Sequence, residues 1–127
     1  EVTMREEVGL AAYSPLGGGT LTGKYIDGAL PTGSRREMFP GFTTRYKSAH
    51  TEVAIKKYDK LARERGISLI QLAQKFVDTR PFMTTNIIGA TTMDQLKENM
   101  DAFDIEWDDE LEEAVNKIHR ENPSPAP

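Results

Sequence analysis

Apolar residues recur three and four positions apart in the middle of the chain, the spacing of a helix that buries one face. This pattern predicts a helix over residues 51–65, followed by Gly66 at the position just past a helix end. A second helix begins after Ser68, a predicted N-cap, and stops before Pro81. The predicted inward positions are Val53, Ala54, Tyr58, Leu61 and Ala62 in the first helix, and Leu69, Leu72, Ala73, Phe76 and Val77 in the second.

Two further helices are predicted in the last third of the chain. Thr92 with Gln95 three residues later is the pattern of a capping box, and it opens the third helix. The fourth begins near Asp108, where the acidic residues between 106 and 113 complement the helix dipole rather than indicate a metal site. Proline-rich residues 122–127 are predicted to be non-helical and frayed. The predicted inward positions are Leu96, Met100 and Phe103, then Leu111, Ala114, Val115 and Ile118.

Two short segments are predicted to be strands: residues 9–13, an apolar run read as buried in a parallel sheet, and residues 85–88. Residues 14–50 between the first strand and the helices show no helical or alternating period, so we interpret them as a long functional loop. The order is β/α alternation, yet two parallel strands do not make a stable sheet. The prediction is therefore an α/β chain that forms the last quarter to third of a (β/α)₈ barrel and is incomplete on its own.

The composition of the chain limits its possible domain count, binding partners and cellular location. The 127 residues suit one domain, and the formal charge of −4 argues against a nucleic-acid partner. No apolar run approaches the ~20 residues of a membrane span, no signal peptide opens the chain, and cysteine is absent, so a cytoplasmic setting is expected. Glu1 is not an initiator methionine and begins what resembles a helix tail, so we expect residues 1–127 to be a fragment of one barrel domain.

A glycine-rich run follows the first predicted strand and gives the clearest indication of a ligand-binding site. Gly17, Gly18 and Gly19 lack Cβ atoms, so their backbone amides can approach a ligand closely. Lys24 then adds a positive charge suited to phosphate. The run predicts an anion-binding loop, although a flexible surface loop is the alternative if it is taken alone.

Two motifs together resemble the C-terminal part of the aldo-keto reductases, with the closest likeness to the Tas-like and potassium-channel β-subunit-like branch. The first motif runs from Tyr13 through Lys24 to Tyr25, and the second is Ile88-Gly89-Ala90-Thr91 followed by the 95–99 stretch QLKEN. They stand in the family's order, about 60 residues apart. The resemblance implies that these segments are the seventh and eighth barrel strands with their loops.

The resemblance also implies a site for NADP, held by the two loops. Tyr13 would stack on the nicotinamide, Lys24 would contact phosphate, and Arg35 would close over the cofactor from the 14–50 loop. The helix that begins near Thr92 would offer free amides and its positive dipole end to the adenosine 2′-phosphate. The full implied set is Tyr13, Ser14, Pro15, Leu16, Gly17, Gly18, Lys24, Arg35, Gly89, Thr91, Gln95, Glu98 and Asn99.

Many relatives place an arginine where this chain has Gln95, so preference for NADP over NAD would depend on Arg35, Thr91 and Gln95. The family's catalytic tyrosine, lysine, aspartate and histidine lie in the first half of the barrel, and none of their motifs is present. The resemblance thus implies the cofactor-binding part of a reductase that converts aldehydes and ketones to alcohols, inactive as the isolated chain. The alternative is a non-catalytic nucleotide-binding or assembly module, in which copies pair to cover open strand edges.

Several implied residues have simpler interpretations. Tyr13 could be a core aromatic, and Lys24 and Arg35 could be solvated surface charges. Glu98 and Asn99 could be exposed polar residues of a helix. His50 and His119 lack partners at ligand spacing and are interpreted as structural or surface residues.

Overall fold

The computed structural model describes residues 1–126, which form two parallel strands and a set of helices. Strand β1 spans Leu10–Tyr13 and β2 spans Met83–Ile87. The helices are α1 Val2–Arg5, α2 Arg35–Met38, α3 Ala49–Glu64, α4 Leu69–Asp78, α5 Met93–Asp101 and α6 Asp109–Glu121.

The two strands pair in parallel, as the β/α order predicts. Ala11 lies opposite Thr85 and Tyr13 opposite Ile87, with a register shift after Leu10. Strand β2 begins two residues earlier than predicted and ends before Ile88. Because the pairing is parallel, the carboxyl ends of both strands meet at one edge of the sheet.

The prediction of a buried first strand is wrong for this chain. Leu10 is 36% exposed and Tyr13 is 79% exposed, and Ile87 across the sheet is 53% exposed. A parallel strand is buried only when elements cover both faces of its sheet. The described residues leave much of this sheet uncovered.

The core lies among α3, α4 and α6. Its buried members include Ala62, Leu72, Leu111 and Val115, each 6% exposed or less. Trp107 packs on this cluster and meets the Phe76 ring at a centroid distance of 6.2 Å. The helical spacing therefore identified the inner faces of α4 and α6 correctly. In α3 the inward position predicted for Val53 is wrong, because Val53 is 48% exposed, and the buried Ile55 was not predicted.

Local capping fixes where the helices begin and end. Ser68 and Gln71 form a reciprocal capping box at the start of α4, as the N-cap prediction requires. Gly66 follows α3 with a φ of +70°, the left-handed conformation that glycine adopts without strain. Asp108 caps α6, where its Oδ1 accepts from the Leu111 amide at 2.6 Å.

The predicted inner face of α5 is wrong. Met100 is 60% exposed and Phe103 is 46% exposed, whereas Asn99 is buried at 3% and Ala102 at 0%. The helix packs on α4 through a polar contact between Asn99 and Gln74. The buried face is therefore rotated toward a polar residue that hydrophobic spacing does not detect.

Residues 14–50 are more ordered than a structureless loop. They contain α2 and three 3-10 helices, Gly17–Thr22, Ile26–Gly28 and Thr44–Tyr46. Tyr25 and Thr43 within this segment are buried, at 6% and 2% exposed. We call residues 26–47 the covering segment.

The prediction that the C-terminal tail is frayed is also wrong for residues 122–126, which the structure describes. The Pro125 carbonyl accepts hydrogen bonds from Ser48 Oγ at 3.1 Å and Thr51 Oγ1 at 2.5 Å. These hydroxyls lie at the start of α3, so the tail returns to that helix. Pro127 lies outside the described residues.

Within residues 1–126, no helix combines the length and apolar character that a bilayer crossing requires.

Candidate functional site

Two loops leave the sheet side by side at the carboxyl ends of β1 and β2. Tyr13 and Ile87 are paired there, and the Ser14 amide donates to the Ile87 carbonyl at 3.3 Å. Ser14 has a φ of +59°, which turns the chain sharply out of the strand. The predicted glycine-rich loop and the Gly89–Gln95 segment therefore start at neighbouring points. Tyr13 itself is exposed, which rules out the core-aromatic interpretation in this chain.

The glycine run adopts a conformation that favours glycine at each position. The φ angles of Gly17, Gly18 and Gly19 are +54°, +64° and +90°. A Cβ added at Gly18 would lie 3.0 Å from Thr43 Cγ2 of the covering segment. The run is thus a backbone surface without side chains, half-buried beneath residues of that segment, and Pro15 and Leu16 beside it are half-buried.

Lys24 folds back over this surface. Its Nζ lies 5.2 Å from the centre of the Tyr25 ring, and an added Cβ at Gly19 would lie 3.6 Å from the same nitrogen. The side chain is exposed. The ammonium is therefore close to the glycine run, where an anionic ligand could reach both.

Arg36, rather than Arg35, ties the covering segment to the glycine run. Its Nη2 donates to Thr20 Oγ1 at 2.7 Å, and its guanidinium lies 4.1 Å from the centre of the Tyr25 ring. Burial lowers the pKa of Arg36, an effect that Tyr25 partly offsets. Arg35 is exposed and stacks at 5.2 Å on the ring of Phe42.

The first turn of α5 supplies the second half of the candidate site. Thr92 caps the helix by accepting from the Gln95 amide at 3.2 Å, as predicted. The reciprocal half of the capping box differs, because Gln95 Oε1 accepts from the Thr91 amide and hydroxyl at 2.9 and 3.0 Å. The other amides of the first turn lack acceptors within the helix, as at any helix start. An added Cβ at Gly89 would meet no atom within 4 Å.

The last two predicted site residues differ in exposure. Glu98 is half-buried, while Asn99 lies in the interior with hydrogen bonds to Gln74 and to the Gln95 carbonyl. The exposed-residue interpretation is therefore wrong for Asn99. A direct contact between Asn99 and a nucleotide stays a prediction.

A cavity of about 410 Å³ opens between the covering segment and α3. Its walls include Tyr25, Arg36, Tyr46 and Ser48, and none of the predicted site residues. His50 and His119 are exposed, and no group of potential metal ligands is found within residues 1–126.

Sequence reasoning missed Thr20, Arg36, Thr43 and Gln74. Arg36 sits beside Arg35 in a polar stretch, and no periodicity separates the packed arginine from the exposed one. Gln74 interrupts the apolar stripe of α4, and that interruption is the one signal that could have indicated a buried amide.

Sequence and structure comparisons relate this chain to known proteins. The aldo/keto reductase family model matches residues 1–120. Protein tas of Escherichia coli K12 is 42% identical over all 127 residues, which span 36% of its length. An aldo-keto reductase of Babesia bovis is 37% identical over 88% of this chain and 41% of its own.

A probable voltage-gated potassium channel subunit beta of Oryza sativa is 37% identical over 77% of this chain, which spans 30% of that protein. Among solved structures, a glycerol dehydrogenase of Gluconobacter oxydans matches 98% of this chain and 38% of its own length, with 27% identity and a TM-score of 0.70. The chain thus spans 30–41% of the length of these relatives. Its structure matches part of an α/β oxidoreductase, and the chain belongs to the aldo/keto reductase family.

Proposed function

We propose that this chain is the cofactor-binding C-terminal portion of an NADP(H)-dependent reductase that converts aldehydes and ketones to alcohols. The observation that carries the proposal is the adjacency of two anion-binding elements at one edge of the sheet. The glycine run follows β1, and the first turn of α5 follows β2, with Tyr13 and Ile87 paired at their origin. Phosphate groups in a (β/α)₈ barrel are bound at this place, by the loops after strands seven and eight.

The residues present fit a dinucleotide. Gly17 to Gly19 give the loop a backbone without side chains of its own, and Lys24 brings a cation to the same surface. The amides of the first turn of α5 and the amino group of Gln95 suit a second anionic group, the 2′-phosphate. When bound, the cofactor supplies the hydride, while this chain orients it and neutralises its charge.

Tyr13 is suited to hold the nicotinamide because its ring is exposed beside the glycine run. The chain carries no equivalent of the family's catalytic tyrosine and lysine. We therefore expect it to bind cofactor without reducing a carbonyl substrate, since a proton donor at the carbonyl oxygen is required.

A fluorescence titration with NADPH and NADH, together with NADPH oxidation over a panel of small aldehydes, tests the proposal. The expected result is saturable binding with preference for NADPH and no turnover. Absence of binding, or turnover at ordinary enzyme rates by the 127-residue chain, would contradict it.

An assembly role is the second candidate, favoured by the uncovered sheet. Leu10, Tyr13 and Ile87 expose apolar surface next to open strand edges. Association with the first part of a barrel, or with a second copy, would cover them. Size-exclusion chromatography with light scattering tests this, because a stable 14 kDa monomer would argue against it.

A further inference from the structure

A chain of side-chain amides crosses the interior from β2 to α5. Asn86 Nδ2 donates to Gln74 Oε1 at 2.7 Å, and Gln74 Nε2 donates to Asn99 Oδ1 at 2.6 Å. Asn99 Nδ2 then donates to the main-chain carbonyl of Gln95 at 2.9 Å. Gln74, at the centre, is 1% exposed. We call Asn86, Gln74 and Asn99 the amide chain.

The direction of every hydrogen bond in the amide chain follows from its last member. A main-chain carbonyl can only accept, so the Asn99 amino group must face Gln95. The Asn99 oxygen then faces Gln74, which must present its own amino group there and its oxygen to Asn86. The amide chain therefore has one consistent polarity, and it ends on the backbone of α5.

Its end point lies in the turn that the proposed function assigns to the 2′-phosphate. Gln95 accepts from Asn99 through its carbonyl and from Thr91 through its side chain, while its amide donates to Thr92. One residue thus joins the buried amide chain to the groups that shape the first turn. A shift of Asn99 would move the carbonyl of Gln95 and, with it, the turn.

The amide chain needs an explanation beyond packing. An apolar side chain at position 74 would fill the space between α4 and α5 without the cost of burying an amide. A chain of buried hydrogen bonds instead selects one relative orientation of the elements that it joins. Here those elements are β2, α4 and α5.

We propose that Gln74 is a positioning residue for nucleotide binding: through Asn99 it holds the first turn of α5 in the orientation that receives the adenosine 2′-phosphate. The inference rests on the proposed function. Gln74 is too deeply buried to touch a ligand, so its effect passes through Asn99 and Gln95.

The test replaces Gln74 by methionine, which keeps the length and flexibility of the side chain and removes its donors and acceptor. Gln71→Met is the matched control, because Gln71 lies on the same helix and bonds only Ser68 among the described side chains. The adenosine fragment 2′,5′-ADP and nicotinamide mononucleotide are titrated separately into the wild-type chain and both variants. Circular dichroism confirms that each variant is folded.

The expected result for Q74M is a loss of roughly tenfold in affinity for 2′,5′-ADP, because both hydrogen bonds of the Gln74 side chain are lost and Asn99 is left without its partner on α4. Affinity for nicotinamide mononucleotide should change by no more than about twofold, because that end binds at the other loop. Q71M should leave both affinities within the same margin. Equal losses in the two glutamine variants, or equal losses for the two fragments, would overturn the inference.

A measurement on the wild-type chain keeps the inference testable if Q74M does not fold. The Asn99 side-chain amide protons should exchange slowly with solvent by NMR, because both ends of that amide are bonded in the interior. Fast exchange would overturn the inference. If the wild type binds neither fragment, the proposed function fails. Backbone hydrogen exchange at residues 93–96 then tests the positioning role separately. Faster exchange in Q74M alone supports that role, and unchanged exchange refutes it.

Discussion

The guanidinium of Arg36 lies 4.1 Å from the ring centre of buried Tyr25 and donates to Thr20 at the glycine run. A second contact joins the same two residues, because the Tyr25 hydroxyl accepts a hydrogen bond from the Arg36 amide at 3.4 Å. Arg36 thus attaches the covering segment to the predicted phosphate loop through both Tyr25 and Thr20. Arg36 has the structural role in this segment, and Arg35 is left at the surface.

Replacing Arg36 by methionine should loosen the covering segment. The change removes a cation–π contact and a hydrogen bond, about 1–2 kcal/mol of local stability. Limited proteolysis within residues 26–47 should become several-fold faster, since cleavage follows local opening. R35M is the control, because the exposed Arg35 side chain stacks on Phe42 and forms no side-chain hydrogen bond or ion pair within residues 1–126. It should leave cleavage unchanged.

Gly18→Ala should weaken NADPH binding and the fold together. The position has a φ of +64°, and the new Cβ would lie 3.0 Å from Thr43 Cγ2. Strain in the left-handed region costs about 1–2 kcal/mol. Urea denaturation and NADPH titration measure the two effects, with G41A as control because a Cβ there meets nothing within 4 Å. Equal behaviour of the two variants would remove the basis for the glycine-run site.

Gln95→Arg should increase the preference for NADPH over NADH. A guanidinium at the first turn of α5 adds a charge-assisted hydrogen bond to the 2′-phosphate, about 1.5–3 kcal/mol, which corresponds to tenfold or more in the ratio of dissociation constants. Q95M, which removes the bonds to Thr91 without adding charge, should lower NADPH affinity and leave NADH affinity nearly unchanged. An unchanged ratio in Q95R would contradict placement of the 2′-phosphate at this turn.

Glu112 should make stability depend on pH below 4.5. The Arg80 hydrogen bond, helped by Trp107 and Asn116, lowers the pKa of Glu112 from 4.5 to about 2. A lowered pKa stabilises the fold above the unfolded-state value, and that contribution is lost as pH falls from 4.5 toward 2.

Because part of the Glu112 side chain contacts water, the contribution at pH 7 should be roughly 1–2 kcal/mol rather than the full value implied by the shift. Urea denaturation of E112Q and wild type should therefore differ at pH 7 and converge near pH 2. E106Q is the control, since Glu106 is exposed. A constant difference across this range would exclude Glu112 as the source.

The sequence was sufficient for α4 and α6, because their caps and apolar stripes are local signals. The existence of α3 was predicted, but its cap Ser48 and the exposure of Val53 were not. The side chains of Ser68 and Asp108 cap helices by accepting hydrogen bonds from amides three residues later in the sequence. This short spacing can be recognised in the sequence itself. The parallel arrangement of β1 and β2 also follows from the β/α order, although the register that places Tyr13 opposite Ile87 does not.

Other features depend on contacts between distant residues and could not be predicted. Asn99 of α5 is buried because it bonds Gln74, which lies 25 positions away in the sequence. This contact turns a different face of the helix inward, so the prediction that Met100 is buried is wrong. The tail is ordered by the hydroxyls of Ser48 and Thr51, which are more than 70 positions distant. In the candidate site, the backbone elements were predictable from glycines and caps, whereas the packed role of Arg36 was not.

The most direct measurement is an NMR titration of the ¹⁵N-labelled chain with NADPH. The account predicts that the largest chemical-shift changes occur in two separate stretches, residues 14–24 and 89–95, and that 2′,5′-ADP reproduces only those of the second. Saturable shifts confined to other residues, or no shifts in a chain shown to be folded, would contradict the central claim.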